Sequence, residues 1–535
     1  VKNSKWIVGA TFMAAVAGWR AETASAQVVR DWVAQYPGLR AVAVAADPNG
    51  GIYVAGTSLF DAAHNFKTDI VVLKYSLDGN LIWSREFDEL DDQTFGTDFA
   101  SHMVLDPHGN VIVTGGSFIN STGDDFITIK YDPDGNLIWK TRYTPTSVGA
   151  VRVGVDAASN VYIIGPSSSV PSGRNYVTIK YNPNGVEQWV RIYNGPNSFD
   201  DNPKGLAVTP AGRVAVTGES TGGVTSFDFA TIVYDTDGNQ LWLQRFNNPE
   251  DEGDYGFDVA FGPANEVYVV GLSLGDATLI KYEPAGAFAW VRQYNGPANL
   301  GDLFSRVRVD SNGDVVAAGY VQSESLYTDL LVAKYDPQGN LLWDDIYAGP
   351  IESDDLANYI AIGPANEIYV TGQSDTGFLT ARYESAGNRA WLDVFVPSIF
   401  INRGNGVALD AEGNVVAAGE YPILTVHYNQ RGGGASDVGD LADSGVGGAL
   451  AVLEPAAPNP AKSVSTIRFQ LKQPAHAKLR VYDVAGKVVA TLVDKTLGAG
   501  SHEVVFAPKS LSSGVYIYAL EAGGERISRR LEWLR

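Results

Sequence analysis

The stretch "DPDGNLIW" at residues 132–139 recurs along the chain as "SLDGNLIW" (76–83), "NPNGVEQW" (182–189), "DTDGNQLW" (235–242), "EPAGAFAW" (283–290), "DPQGNLLW" (336–343) and "ESAGNRAW" (384–391). A segment that returns in order at a spacing of roughly 50 residues marks a repeat architecture, in which each copy buries its apolar face against its neighbours. In the 132–139 copy, Pro133 presets the backbone for a turn and Gly135 can take the left-handed conformation that closes a bulged hairpin. Such Asp-rich turns resemble fragments of calcium loops. None continues with the spaced ligands and distal glutamate of an EF-hand, so they read as hairpin turns.

Each copy follows an apolar run ending in tyrosine, such as "DIVVLKY" (69–75), "DFITIKY" (125–131) and "DLLVAKY" (329–335). A second hairpin precedes each pair, as in "VAADPNGGIYVAGTS" (44–58) and "VAFGPANEVYVVGLS" (259–273). One unit is therefore four strands, A to D in chain order. Eight A–B hairpins occur, the last at 407–421, but only seven C–D hairpins. The eighth C strand, "ILTVHY" (423–428), runs into "NQRGGG" with no tryptophan. The missing D strand stands at the other end: "VVRDWVAQYPG" (28–38) places Trp32 as "WVRIYNGP" and "WVRQYNGP" place Trp189 and Trp290.

An orphan D strand at the start and an orphan C strand at the end imply a ring. The expectation is an all-β chain: an eight-bladed β-propeller closed by its N-terminal strand, plus a small C-terminal β-sandwich. Closure leaves only short, protected sheet edges. Trp32, Trp83, Trp139, Trp189, Trp242, Trp290, Trp343 and Trp391 then lie on outer strands facing the next blade, as structural contacts. Each such burial stabilises by about 2–3 kcal/mol. The glycines near the end of strand B (Gly56, Gly115, Gly165, Gly218, Gly271, Gly319, Gly372 and Gly419) are expected where backbones approach closely or a bulge forms near the axis.

With no cysteine, disulfides and thiolate metal sites are excluded, and a formal charge of −22 argues against a nucleic-acid partner. Lys2 and Lys5, an apolar run from Trp6 to Trp19 and "ASA" at 24–26 have the form of a secretory signal peptide. That run is shorter than the roughly 20 residues that cross a bilayer, and no longer one follows. The expected division is a signal peptide (1–26), the propeller (27–431), a Gly/Ser/Asp-rich flexible linker (432–452) and the sandwich (453–535).

The halves "DYGFDVAFGPANEVYVVGLS" (254–273) and "TDLLVAKYDPQGNLLW" (328–343) resemble the bacterial β-propeller repeat called SBBP, over roughly residues 28–431. Members of that family are mostly exported and without an assigned activity. The tail, with "APNPA" (457–461), "LRVYDVAGKVVATL" (479–492), "SSGVYIYALEAGG" (512–524) and a basic ending from Arg526 to Arg535, closely resembles the C-terminal sorting domain of type IX secretion substrates. Ala461 and Lys462 depart from that family's usual opening. The resemblance implies the type IX secretion machinery as a partner. It also implies delivery to the extracellular space or outer cell surface of a Gram-negative bacterium, anchored there or released.

A–B and C–D turns are short and alike, whereas B–C and D–A loops are longer and differ in every unit. Strand alternation puts the latter on one face, which is the expected binding face. It is acidic. Asp91, Asp92, Asp200, Asp201, Asp251, Asp254, Tyr327 and Asp354 are its candidate ligand-binding residues, with Ca2+ the one cofactor considered and a surface glycan or protein the expected partner. Solvated charge that keeps an exported protein soluble explains the same residues.

Catalytic signals are few. His102 and His108 flank a hairpin, His427 lies on the closing strand, His64 sits in a variable loop, and His476 and His502 belong to the tail. No histidine pair has helical metal spacing and no Gly-x-Ser-x-Gly elbow occurs. The repeated Gly-x-x-Trp is similar to the docking motif of quinone-dependent dehydrogenases, but no unit carries the insertion or cysteines that would single out a cofactor site. The expected function is a non-catalytic exported scaffold that binds through its acidic loop face. The alternative is an extracellular polysaccharide hydrolase or lyase using loop carboxylates.

Overall fold

The computed structural model describes residues 28–430, apart from 39, 59–67, 89–95, 120–123, 145–148, 170–172, 197–198, 223–225, 351, 376, 397–401 and 421, and residues 451–533, apart from 454–460, 472, 483–486, 509–510, 513 and 523–524. The expected signal peptide, most of the expected linker, and Asp91, Asp92 and His64 lie outside the described residues. Those described contain no α-helix. The chain divides into two compact units, Val1–Gly434 and Ala435–Arg535.

In the first unit the described strands form eight four-stranded antiparallel sheets. Seven are built from consecutive strands, from the sheet of Arg40–Ala46, Ile52–Thr57, Ile70–Tyr75 and Leu81–Phe87 to that of Leu356–Ile362, Ile368–Ser374, Gly377–Tyr383 and Arg389–Phe395. The eighth takes Gly404–Leu409, Val415–Gly419 and Ile423–Asn429 from one end of the unit and Val29–Tyr36 from the other. Strand A of each sheet packs against strand A of the next, and that of the eighth against that of the first. The strands are apolar on both faces because each sheet has a neighbour on each side; Ile52, Val54, Ile70 and Val72 are all fully buried.

The recurring turn and the tryptophan that follows it meet across the junction between sheets. Trp83 Nε1 donates to the Pro133 carbonyl (3.1 Å), Trp139 to Pro183 (2.9 Å), Trp189 to Thr236 (3.1 Å) and Trp32 to Leu77 (2.7 Å). Each acceptor lies in the C–D turn of the following sheet. The indole rests on the glycine of that same turn: a Cβ on Gly185 would lie 2.7 Å from the Trp139 ring, and one on Gly238 2.7 Å from Trp189. These glycines also have positive φ, 78° in both cases. One residue thus closes the hairpin and makes room for the neighbour's indole. Lysines of strand C reinforce the contact, Lys74 donating to Pro133 O (2.8 Å) and Lys180 to Thr236 O (2.8 Å).

The closing junction has its own chemistry. Val29–Tyr36 pairs antiparallel with Ile423–Asn429, placing Trp32 opposite His427, and the two rings stack at 5.2 Å with planes 2° apart. His427 stands where five of the other sheets have lysine, the fourth having Val233 and the seventh Arg382. Its Nε2 lies 2.8 Å from buried Asp410 and its Nδ1 3.2 Å from Asp31. Arg30 makes a two-pronged bond to Asp393 on the preceding sheet (2.7 and 2.6 Å), its guanidinium lying over Phe395. Trp391 has no C–D turn to meet and stacks on Tyr428 at 5.4 Å.

The strand B glycines face a bulge in strand A. In every sheet but the third the A–B register shifts just after the residue that pairs with this glycine, as between Ala100 and His102 or Phe304 and Arg306. A Cβ on Gly115, Gly319 or Gly372 would land on the strand A carbonyl oxygen of Phe99, Leu303 or Leu356.

The second unit holds a three-stranded sheet (Ala451–Leu453, Ser465–Leu471, Gly500–Phe506) and a four-stranded one (Ala475–Tyr482, Val488–Leu497, Gly514–Ala522, Glu525–Trp533). Ile467, Phe469 and Phe506 from the first share one core with Leu479, Tyr518, Leu520 and Trp533 from the second.

Gly185→Ala and Gly413→Ala separate the two roles of the turn glycine, since Gly413 also has positive φ (82°) but nothing within 4 Å of its Cβ position. Gly413→Ala is expected to lose about 1–2 kcal/mol from the left-handed backbone. Gly185→Ala should lose about 1–3 kcal/mol more by displacing the indole. Denaturant unfolding of both variants measures the difference.

Candidate functional site

The bulge sets which side chains reach the centre of the first unit. The residue of strand A that pairs just before the strand B glycine is Ala43, His102, Arg152, Gly205, Asp258, Arg306, Tyr359 and Gly406 in sheets one to eight. These positions form one tier at the centre. On the A–B turn side of the tier lies a cavity of about 570 Å³, lined by His102, Arg152, Asp258, Arg306, Arg308 and Tyr359 among others. On the loop side lies one of about 350 Å³, whose walls include Arg40, Asn358, Asn405 and Glu420. Arg152, Arg306 and Tyr359 line both.

This tier is basic in a protein of net charge −22. Arg308 Nη1 lies 2.9 Å from Asp258 Oδ2, which also accepts from Val307 N (3.1 Å), and the Arg308 guanidinium sits 5.2 Å from the Tyr359 ring centre. That leaves Arg152 and Arg306 without a carboxylate among the described residues. Arg306 Nη1 donates only to the neighbouring Ser305 carbonyl (2.7 Å), and its buried Nε has no partner. Burial, with Arg152 as the next contribution, lowers the Arg306 pKa to about 10, so it remains a cation at neutral pH. His102 sits with Nδ1 3.1 Å from Val153 O. Burial and then the cations Arg152, Arg308 and Arg306 push its pKa well below the usual imidazole value, so it is neutral.

The variable loops are knit together around the loop-side mouth. Asp98 N donates to Thr68 O, Asp302 N to Gly275 O (2.7 Å) and Thr221 N to Asp200 O (3.1 Å), so D–A and B–C loops do share a face. Within them one aspartate recurs as an internal tie. Asp201 accepts from Gly195 N (2.7 Å), Asp254 from Asn248 N (2.8 Å), Asp302 from Gly296 N and Asp355 from Gly349 N, each six residues back. All four are buried, and burial raises the pKa of Asp201, Asp302 and Asp355.

The candidate residues therefore divide. Asp201 and Asp254 turn inward and hold their loops. Asp200, Asp251, Asp354 and Tyr327 are exposed. Asp200 caps Arg174 N (2.9 Å) and Asp354 caps Thr328 N (3.2 Å). The one described group with donors for a hard cation is Asp69, Asp88 and Asp98, with carboxylate oxygens within 4.8 Å of one another. The eight tryptophans lie at sheet junctions, away from both cavities.

Motif searching passed over Arg152, Arg306, Arg308 and Tyr359. Their signal is positional. Two residues past the central tier, strand A has Ala45, Val104, Gly154, Ala207, Ala260, Ala361 and Ala408, and Arg308 alone carries a charge there.

With the geometry in place, comparison with known proteins bears on the tail. Residues 456–532 match the secretion system C-terminal sorting domain. This type IX sorting domain indicates export to the cell surface or beyond, with the secretion machinery as a partner. Solved structures similar to the chain include streptogramin B lyase (11% identity, 74% of this chain and 98% of that one, TM-score 0.40) and the WD40 β-propeller domain of Doa1 (13%, 62% and 93%, 0.40). PorZ, a surface component of the type IX secretion system of Porphyromonas gingivalis, is also similar (12%, 92% and 81%, 0.30). No curated protein sequence matches. The four-stranded sheets and their ring of contacts are those of a β-propeller, and no described helix is long and apolar enough to cross a membrane.

His102 gives a pH test. Its pKa is lower folded than unfolded, so below about pH 6.5 the unfolded chain takes up a proton that the folded chain refuses, and stability falls with pH. His102→Gln should remove a dependence of up to about 1.4 kcal/mol per pH unit between pH 6.5 and 5. The wild-type-minus-variant difference in urea unfolding measures it.

Proposed function

We propose that the chain is an exported, non-catalytic eight-bladed propeller (27–431) closed by its N-terminal strand, joined by a flexible linker (432–452) to a β-sandwich (453–535) that serves as its secretion address. It follows a signal peptide at 1–26 and works outside the cell or on its outer surface. Its ligand is a protein, glycan or matrix component met by the loop face, through Asp200, Asp251, Asp354 and Tyr327 with the loops carrying Asp91 and Asp92. The observation that carries this reading is a face of unequal loops, hydrogen-bonded to one another on rigid sheets, with exposed carboxylates at its surface.

The alternative, polysaccharide hydrolysis or elimination, needs a pair of free carboxylates flanking a substrate cleft. The carboxylates lining the two central cavities are engaged: Asp258 with Arg308 (2.9 Å), Asp310 with Lys334 (2.8 Å), and Glu420 with Asn405 (3.0 Å). That favours binding over catalysis.

The test is a glycan array and a surface-protein pulldown with the full chain and with an Asp200→Asn/Asp251→Asn/Asp354→Asn variant. At least a tenfold loss of affinity in the variant is expected. Turnover of a polysaccharide panel without retained ligand would reverse the order of the two readings. Truncation before residue 456 should leave the protein inside the cell envelope, read by fractionation.

A further inference from the structure

We infer that the central channel of the propeller is a binding site for an anionic group, a carboxylate or small oxyanion, held between Arg152 and Arg306. Three features on the central tier converge on this. Arg152 and Arg306 line both cavities, Arg308 lines the larger, and Asp258, the one carboxylate of the tier, is paired with Arg308. Two cations are left facing a shared space, neither of them ion-paired among the described residues. The Nε of Arg306 is buried without a partner, a donor left open in a site where unmade hydrogen bonds are costly. A guanidinium fork is the side chain suited to planar, two-point recognition of a carboxylate or oxyanion.

The surroundings fit a small ligand. A cavity of about 570 Å³ on one side and about 350 Å³ on the other admits a molecule of one or a few rings. Tyr359 offers an aromatic wall, and Asn358 and Asn405 offer amides on the loop side. Burial, and after it the neighbouring arginines, lower the proton affinity of Arg306 and His102, and an anion bound between the arginines would offset the second of these. The acidic exterior would repel long polyanions, so the class admitted is a small anion or a single acidic group on an otherwise neutral molecule, such as a uronic acid sugar. This site is separate from the carboxylates of the loop face and stands or falls independently of the ligand proposed there.

The experiment is thermal unfolding and calorimetric titration of the full chain with inorganic phosphate, sodium sulfate and sodium glucuronate, with ionic strength held constant by sodium chloride. Wild type should gain several degrees in unfolding midpoint with at least one of the three, in proportion to the logarithm of its concentration. Glucuronate alone would identify an acidic sugar as the ligand class, and phosphate or sulfate an inorganic oxyanion. Arg152→Gln and Arg306→Gln should each weaken binding at least tenfold. Without anion they should unfold at the same or a higher temperature than wild type, because each removes a repulsive partner. That second reading separates a binding role from a structural one, which would make both variants less stable. No anion-dependent shift in wild type, or the same shift in wild type and both variants, would overturn the proposal.

Discussion

The structure depends on one contact made across the sheet junctions, an indole laid on the glycine of the next sheet's turn and bonded to that turn's backbone. It explains why turn and tryptophan travel together in the sequence although they do not touch each other. The turn of one copy receives the tryptophan of the copy before it, so a change in either is felt one sheet away. Trp139 depends on Gly185, Trp189 on Gly238, and the lysine of strand C binds the same carbonyl as the tryptophan. A sheet buried on both faces has no stable form alone, and this contact supplies the repeated specificity that apolar burial lacks.

The same economy links fold and site. The strand B glycine allows strand A to approach and bulge, and the bulge turns the following side chain toward the centre. A packing constraint at one position thus decides which residue lines the channel at the next. Gly205 and Gly406 let the next sheet's strand A approach closely, while Arg152, Asp258 and Arg306 give the channel its charge and His102 and Tyr359 add uncharged polar walls.

What recurs was legible in the sequence. The four-strand unit, the place of the tryptophans, the close approach at the strand B glycines and the partnership of Trp32 with the segment ending at Tyr428 all follow from residues that geometry requires in nearly every copy. The channel was not legible for the same reason. Its tier is where the copies differ, and a reading built on recurrence treats such positions as background. The acidic loops posed another difficulty: Asp200 and Asp201 are neighbours in sequence but point to opposite sides, one into solvent and one into its own loop. Charge density along a chain does not reveal that alternation until the strand's first residue is placed.

The eighth sheet joins the earliest-made strand of the first unit to the latest-made ones. Val29–Tyr36 is synthesised before any strand of its sheet exists, and it waits until Ile423–Asn429 has emerged. Meanwhile the first seven sheets can stack as an open arc, with bare edges at both ends. Completion of the circle is therefore a report that the whole unit has been made. A chain interrupted anywhere before that point keeps a free ribbon at its head and an unfinished edge at its tail.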